Sequence, residues 1–402
     1  MGELSRPTRP PRSSIRWLAV GAALTSVVLL ASCASTPGGQ PQAAPATTVV
    51  THSEHPPFTA PPAQPLRAGE RFVNLTMAKP YAPAAPHGGT DEYRCFLVDP
   101  QLNSAAFLTG SQFLPQNSEL VHHAIFFRLG PAGAAEAVKV DAESPGDGWT
   151  CFGDSGIGDD AWVAHWAPGA NETLLVPGIG YPMPAGSKLV MQVHYNLLAT
   201  DGKAGGTDQS AIRLRLTDGK TALRPLETGQ VYAPIELPCT AAESGPLCDR
   251  SAAVADVTSR FGEHAGQTVE ELNEACNQGR APVAGNTQHC DNPVDGAGTV
   301  YAVAGHMHLL GRSIKLELNP GTPGAQTLLD LPSYNFDDQA IRPLAKPVAV
   351  KAGDTLRVTC THDAAVRKML PQLSTLPARY VVWGDGTSDE MCLGLVIWTR
   401  SA

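Results

Sequence analysis

Short segments in which apolar and polar residues alternate with a period of two, cut apart by glycine and proline, most constrain the fold of this chain. Residues 188–196, 211–217, 299–306, 313–318, 355–360 and 378–383 all carry the pattern, which puts successive side chains on opposite faces of a strand. Turns are marked by Pro168-Gly169, Pro177-Gly178, Pro184-Ala185-Gly186, Pro320-Gly321-Thr322-Pro323 and Ala352-Gly353-Asp354. Many short strands, each with one apolar face, predict an all-β protein of antiparallel sandwiches. The abundant turn residues, Gly 39 and Pro 35, agree with this, as does a charged fraction of 17%. Helical spacing is found in residues 251–277, and no internal repeat is visible.

The first residues read as a targeting segment. Arg6, Arg9, Arg12 and Arg16 precede an apolar run at 17–30 that is short for a spanning helix. Leu30-Ala31-Ser32-Cys33 then resembles a bacterial lipobox, so residues 1–32 are expected to be a lipoprotein signal peptide and Cys33 the lipidated residue. No twin arginine is present, which favours general export. Residues 33–65, rich in Pro and Ala, read as a tether holding the folded part off a membrane. The expected location is the extracytoplasmic face of the cell membrane. Residues 1–32 carry four Arg and one Glu, a net of +3, so their removal takes the formal charge from -9 to -12. An acidic protein of this kind argues against nucleic acid as a partner, and a monomer is the default expectation.

The remaining length exceeds one ordinary core. Two sandwich domains are expected, at 66–218 and 219–402, divided where the strand at 211–217 runs into Asp218-Gly219-Lys220. Besides Cys33 there are eight cysteines: Cys95, Cys151, Cys239, Cys248, Cys276, Cys290, Cys360 and Cys392. An even set in an exported chain reads as disulfides.

Six residues have metal-ligand character: His122, His123, His194, His306, His308 and Met391. Imidazole together with thioether suits a metal that visits a soft monovalent state, which points to copper. Residues i and i+2 of a strand share a face, so His306 and His308 can reach one ion. The adjacent His122 and His123 point to opposite faces of a regular strand, so joint ligation requires a bulge or different ring nitrogens. The domain boundary gives each domain three of the six. Alone, each element has a bland reading: Met391 as a core filler, the His pair as one buried and one exposed residue.

The order His122-His123, Gln192-Val193-His194-Tyr195, Gly305-His306-Met307-His308-Leu309-Leu310-Gly311 and Ser388-Asp389-Glu390-Met391-Cys392 resembles the copper type II, ascorbate-dependent monooxygenases, the family of peptidylglycine hydroxylating monooxygenase and dopamine β-monooxygenase. Supporting stretches are Tyr93-Arg94-Cys95, Trp166-Ala167-Pro168-Gly169 and residues 353–361. The resemblance implies two jelly-roll-like sandwiches. It implies an electron-transfer copper on His122, His123 and His194, and an oxygen-binding, catalytic copper on His306, His308 and Met391. It further implies ascorbate or another one-electron reductant as co-substrate, and disulfides Cys95–Cys151 and Cys360–Cys392. Cys239, Cys248, Cys276 and Cys290 keep three connectivities open, within a helical or irregular insertion of the second domain.

Residues that engage substrate in the peptide-amidating branch are replaced here by Ala304 and Leu395, and Ala124 follows the His pair. A C-terminal glycine peptide is therefore not expected as substrate. The same replacements motivate an alternative, a non-catalytic lipoprotein that binds or delivers copper at the cell surface. His165 reads as structural, His362 as a supporting or surface residue, and Glu390 as either a partner of a ligand histidine or a solvated turn. The acidic run 153–160 does not have the spacing of a calcium loop.

Overall fold

The computed structural model describes residues 59–401. The expected signal peptide, Cys33 and most of the expected tether lie outside the described residues. Among the described residues, no helix is long and apolar enough to cross a membrane.

The chain is an all-β protein built from two pairs of antiparallel sheets. In the first pair, one sheet runs Glu70–Thr76, Ala211–Asp218, Ala106–Leu114, Ile179–Met183 and Arg224–Pro225, with Thr173–Leu174 alongside Ala106–Leu114. The other runs Trp149–Thr150, Asp91–Val98, Lys188–Asn196, Val121–Leu129 and Asp160–Trp166. Leu108, Phe113 and Leu214 from one sheet and Phe126 and Met191 from the other enter a shared core, the register shift between Leu108 and Gly110 turning Leu108 and Phe113 to the same side. Phe113 and Phe126 meet there with ring centroids 5.7 Å apart. Burying each such side chain stabilises the fold by about 1.5–3 kcal/mol.

The second pair follows the same logic. One sheet is Glu227–Tyr232, Leu393–Arg400, Gly298–His306 and Arg342–Val350, and the other is Thr287–Pro293, Thr355–His362, Gly311–Leu318 and Gln326–Leu331. The last pairing with the first pair is the short parallel match of Arg224–Pro225 to Ile179 and Gly180. From Glu227 onward the strands belong to the second pair, except Glu236–Leu237 and Val381–Val382, which pair with each other as a separate two-stranded sheet.

Three local features differ from the expectations. The segment 378–383 forms a strand only at Val381–Val382, because Tyr380 donates its hydroxyl to Glu236 and Arg379 is committed to Asp256 and Asp389. An unexpected helix, Pro131–Glu143, begins on a proline at its first turn and lays Ala134 and Ala137 over the outer face of the five-stranded sheet, against Phe127, Leu129 and Val190. Finally, residues 61–65 at the end of the expected tether are held by the fold. The buried Arg215 draws in the carbonyls of Gln64 and Pro65, and Gln112 bonds the carbonyl of Pro61.

The helical insertion is present as two helices, Arg250–Phe261 and Glu263–Asn277, broken at Gly262 with φ 92°. Four disulfides are formed: Cys95–Cys151, Cys239–Cys248, Cys276–Cys290 and Cys360–Cys392. The two middle bonds resolve the open connectivity. They staple the insertion at its entrance and tie the end of its second helix to the Thr287–Pro293 strand.

Candidate metal centre

Strand Val121–Leu129 pairs with Lys188–Asn196, and their register slips between Val121 and His123. This is the bulge that joint ligation by adjacent histidines requires. It brings His122 and His123 to the side of His194, where the three Nδ1 atoms lie 3.1, 3.2 and 3.4 Å from one another. A point equidistant from three atoms at about 3.2 Å spacing lies about 1.9 Å from each (spacing divided by √3), against ~2.0–2.1 Å for a zinc–imidazole bond. The residues present therefore fit a small metal ion.

Two neighbours orient His194. Its Nε2 is 2.9 Å from Oδ1 of the buried Asp91, which leaves Nδ1 with a lone pair for a ligand. Tyr93, two residues along the same strand, stacks on the imidazole at 4.1 Å and 8°. Burial alone would raise the Asp91 carboxyl, but His194 and Thr387 hold it below its ordinary value. His123 is held well below the usual imidazole range by burial and then by the surrounding imidazoles. The ring is thus neutral at neutral pH and free to ligate.

His306 ends strand Gly298–His306, opposite Leu393. The expectation that His308 continues the same strand is corrected: the chain leaves the ladder after His306. Tyr334 takes over, its hydroxyl accepting from the Met307 N–H at 2.9 Å and donating to the Met307 carbonyl at 2.6 Å. Gly311 completes this turn, since a Cβ there would sit 2.7 Å from the Met307 methyl. The His306 and His308 rings nevertheless converge, with centroids 5.1 Å apart at 81°.

Second-site protons are fixed by acceptors. His308 Nδ1 donates to the carbonyl of Asp389 at 3.1 Å, and its Nε2 is buried with no hydrogen-bond partner. A buried imidazole nitrogen without a protein partner is open to a bound ion or water. His306 Nδ1 is bonded to Oε1 of Gln339, and burial, followed by the nearby His308, pushes His306 down to about 3. Met391 is buried and lines the same cavity as His306. Its neighbour Cys392 is bonded to Cys360 of strand Thr355–His362, which fixes the segment.

Glu390 is fully buried rather than a solvated turn. Its carboxylate accepts from the N–H groups of His308 and Leu310 at 2.8 and 2.6 Å, and lies 3.2 Å from His362 Nε2. His362 is thus a buried supporting residue. Burial alone would raise Glu390, but His362 and His308 hold it below the ordinary value. Next to it, Asp389 receives two bonds from Arg260 of the Arg250–Phe261 helix, at 2.8 and 2.6 Å. The insertion therefore clamps the segment that carries Met391. His165 is pushed down to about 4 by burial and lines the cavity beside His306. In the acidic run, Asp154 and Asp160 bond the loop's own Gly156 and Ser155.

The two ligand sets come from different sheet pairs, yet they touch. The His123 and His306 rings are 5.8 Å apart between centroids. Phe336 stacks on His122 at 4.4 Å and lies 6.5 Å from His308, and its carbonyl accepts from Gln339 at 2.7 Å. Across the same seam, Thr387 donates to Asp91 at 2.5 Å and Tyr93 donates to the Asp385 carbonyl at 2.9 Å. The expectation of one three-ligand set per domain said nothing of this contact.

Residues 266–401 match the family profile of the copper type II ascorbate-dependent monooxygenase, C-terminal domain. This third of the chain is similar to that family's C-terminal domain. The matched part contains His306, His308 and Met391, while His122, His123 and His194 lie before it. Copper and ascorbate are the reagents that the family uses. Solved structures match at much lower similarity. The major capsid protein P2 from bacteriophage PM2 is 10% identical, over 82% of this chain and 97% of that chain, at a TM-score of 0.29. An allantoicase is 12% identical over 83% and 90%, at a TM-score of 0.18. A Paenibacillus xanthan lyase is 11% identical over 85% of this chain and 27% of that chain, at a TM-score of 0.17. Likeness at this level carries no argument about fold or function.

Proposed function

We propose that the protein is a copper-dependent monooxygenase that hydroxylates a C–H bond with O₂ and an external one-electron donor such as ascorbate. His122, His123 and His194 would hold one copper, and His306, His308 and Met391 a second. Bound copper would supply one-electron redox chemistry between donor, O₂ and substrate. The observation that carries this reading over copper storage or delivery is that His123, His306 and Met391 line one cavity of about 730 Å³. A carrier has no need of room for a second molecule beside its metal ligands.

The chain's own residues prepare this site. Asp91 and Tyr93 fix the His194 ring, and Gln339 and the Asp389 carbonyl fix the protons of His306 and His308. Burial favours the neutral form of the His123, His194 and His306 imidazoles. A thioether in the second set favours the reduced metal, which is the form that reacts with O₂. We further propose that the protein is anchored by lipid at Cys33 on the outer side of the cell membrane.

The test is oxygen uptake by the copper-loaded protein with ascorbate and a substrate library. Met391→Ile should abolish coupled hydroxylation while copper at His122, His123 and His194 persists in electron paramagnetic resonance. A protein that binds and reduces two coppers but never couples oxygen uptake to product would sink the enzyme in favour of the carrier.

A further inference from the structure

The cavity of about 730 Å³ falls in the size range that encloses a drug-sized ligand. It runs from His306 and Met391 to the insertion. One wall is helix Glu263–Asn277, which presents Ala265, Thr268 and Leu272, and the preceding helix adds Phe261. Phe152 and Trp383 face them. Nearest the ligand residues, the wall is Ala304 and Leu395, register partners on neighbouring strands.

Charge is sparse in this lining. Among the described residues that line it there is no lysine or arginine. Two carboxylates, Asp154 and Glu271, are exposed and so remain in water. The third, Asp385, is buried, and burial followed by the adjacent Asp389 charge pushes it up to about 7. An anionic ligand would find no cation here, and any ion would lose hydration without a fixed partner. An apolar ligand gains about 25 cal/mol for each Å² it buries.

We propose that this cavity binds a neutral molecule with a mainly apolar skeleton and presents one of its C–H bonds to His306 and Met391, the helical insertion being the wall that selects it. The assignment rests on the monooxygenase reading and adds to it the substrate class.

The test uses the full chain and three naphthalene probes of similar size: neutral 1-naphthylmethanol, anionic 1-naphthoate and cationic 1-naphthylmethylammonium. Fluorescence titration should give saturable binding of the neutral probe, at least about tenfold tighter than either ion. Thr268→Trp, at a half-buried position on the cavity wall, should fill the cavity and weaken the neutral probe by about tenfold or more, with copper stoichiometry unchanged. Ala304→Arg should shift preference toward naphthoate, and if it fails to fold, Thr268→Trp carries the test alone. Preference of the wild-type protein for either ion, absence of saturable binding, or binding indifferent to Thr268→Trp would each overturn the assignment. Neutral-probe binding without coupled oxygen uptake sinks the enzyme reading and leaves the cavity assignment standing. Coupled uptake without neutral-probe binding does the reverse.

Discussion

His122, His123 and His194 sit within central strands of a sheet, whereas His306, His308 and Met391 sit where a strand ends and loops begin. The first set is drawn together by one bulge and locked from behind by Asp91 and Tyr93. The second depends on groups distant in sequence: Tyr334 under Met307, Gln339 on His306, and Glu390 under His308 and Leu310. A sheet-borne site is rigid by inheritance, and a loop-borne one must be stiffened piece by piece. The stiffening leaves the second set beside a cavity, where a substrate can approach. Both sets reach that cavity, the first through His123 and the second through His306 and Met391, so the contrast lies in how each is held.

That contrast can be broken. Glu390→Ala removes a buried carboxylate that satisfies two amides and His362, so stability should fall by about 3–5 kcal/mol. Urea denaturation measures this, and copper binding should be lost first at His306, His308 and Met391. If both sets weaken equally, the two are one structural unit and the contrast fails. A smaller effect is expected from Asp91→Asn, which loosens the orientation of His194. Copper affinity of the imidazole set should drop about 10–100-fold, measured by competition with a chelator, with the Met391 set unchanged.

The smallest effect concerns the seam between the sets. Asp385 is held above its ordinary value, up to about 7. The unfolded carboxyl ionises near pH 4, so the folded state binds the extra proton between about pH 4 and 7. Stability from this group is present below that window and is lost as pH rises through it. Asp385→Asn should therefore flatten the stability profile, the variant gaining on the wild-type protein at pH 8 relative to pH 4. Unchanged pH dependence in chemical denaturation would show that solvent reaches the carboxyl.

Much of the fold was legible in the sequence because alternation is a local signal. Strand Lys188–Asn196 has the expected bounds, and five of the six alternating segments lie within strands. Helix Pro131–Glu143 was not legible, since its buried face consists of small residues, Gly133, Ala134 and Ala137, without a strong apolar stripe. Strand geometry left a bulge at His122 or different ring nitrogens as alternatives, and the bulge that forms depends on pairing with a strand some 70 residues away. Asp91 escaped notice for the same reason: it is 103 residues from His194 in sequence. Its place two residues before Tyr93, on one strand face, was the available signal. Gln339 and Phe336 lie in a loop with no period at all, and nothing local announces their role.

The bond between Cys360 and Cys392 also sets an order of maturation. Cys392 adjoins Met391, and a free thiolate there would outcompete the thioether for a soft monovalent ion. Oxidation must therefore come before metallation if Met391 is to be chosen. On the proposed copper reading, the disulfide thus removes a second sulfur that would compete with Met391.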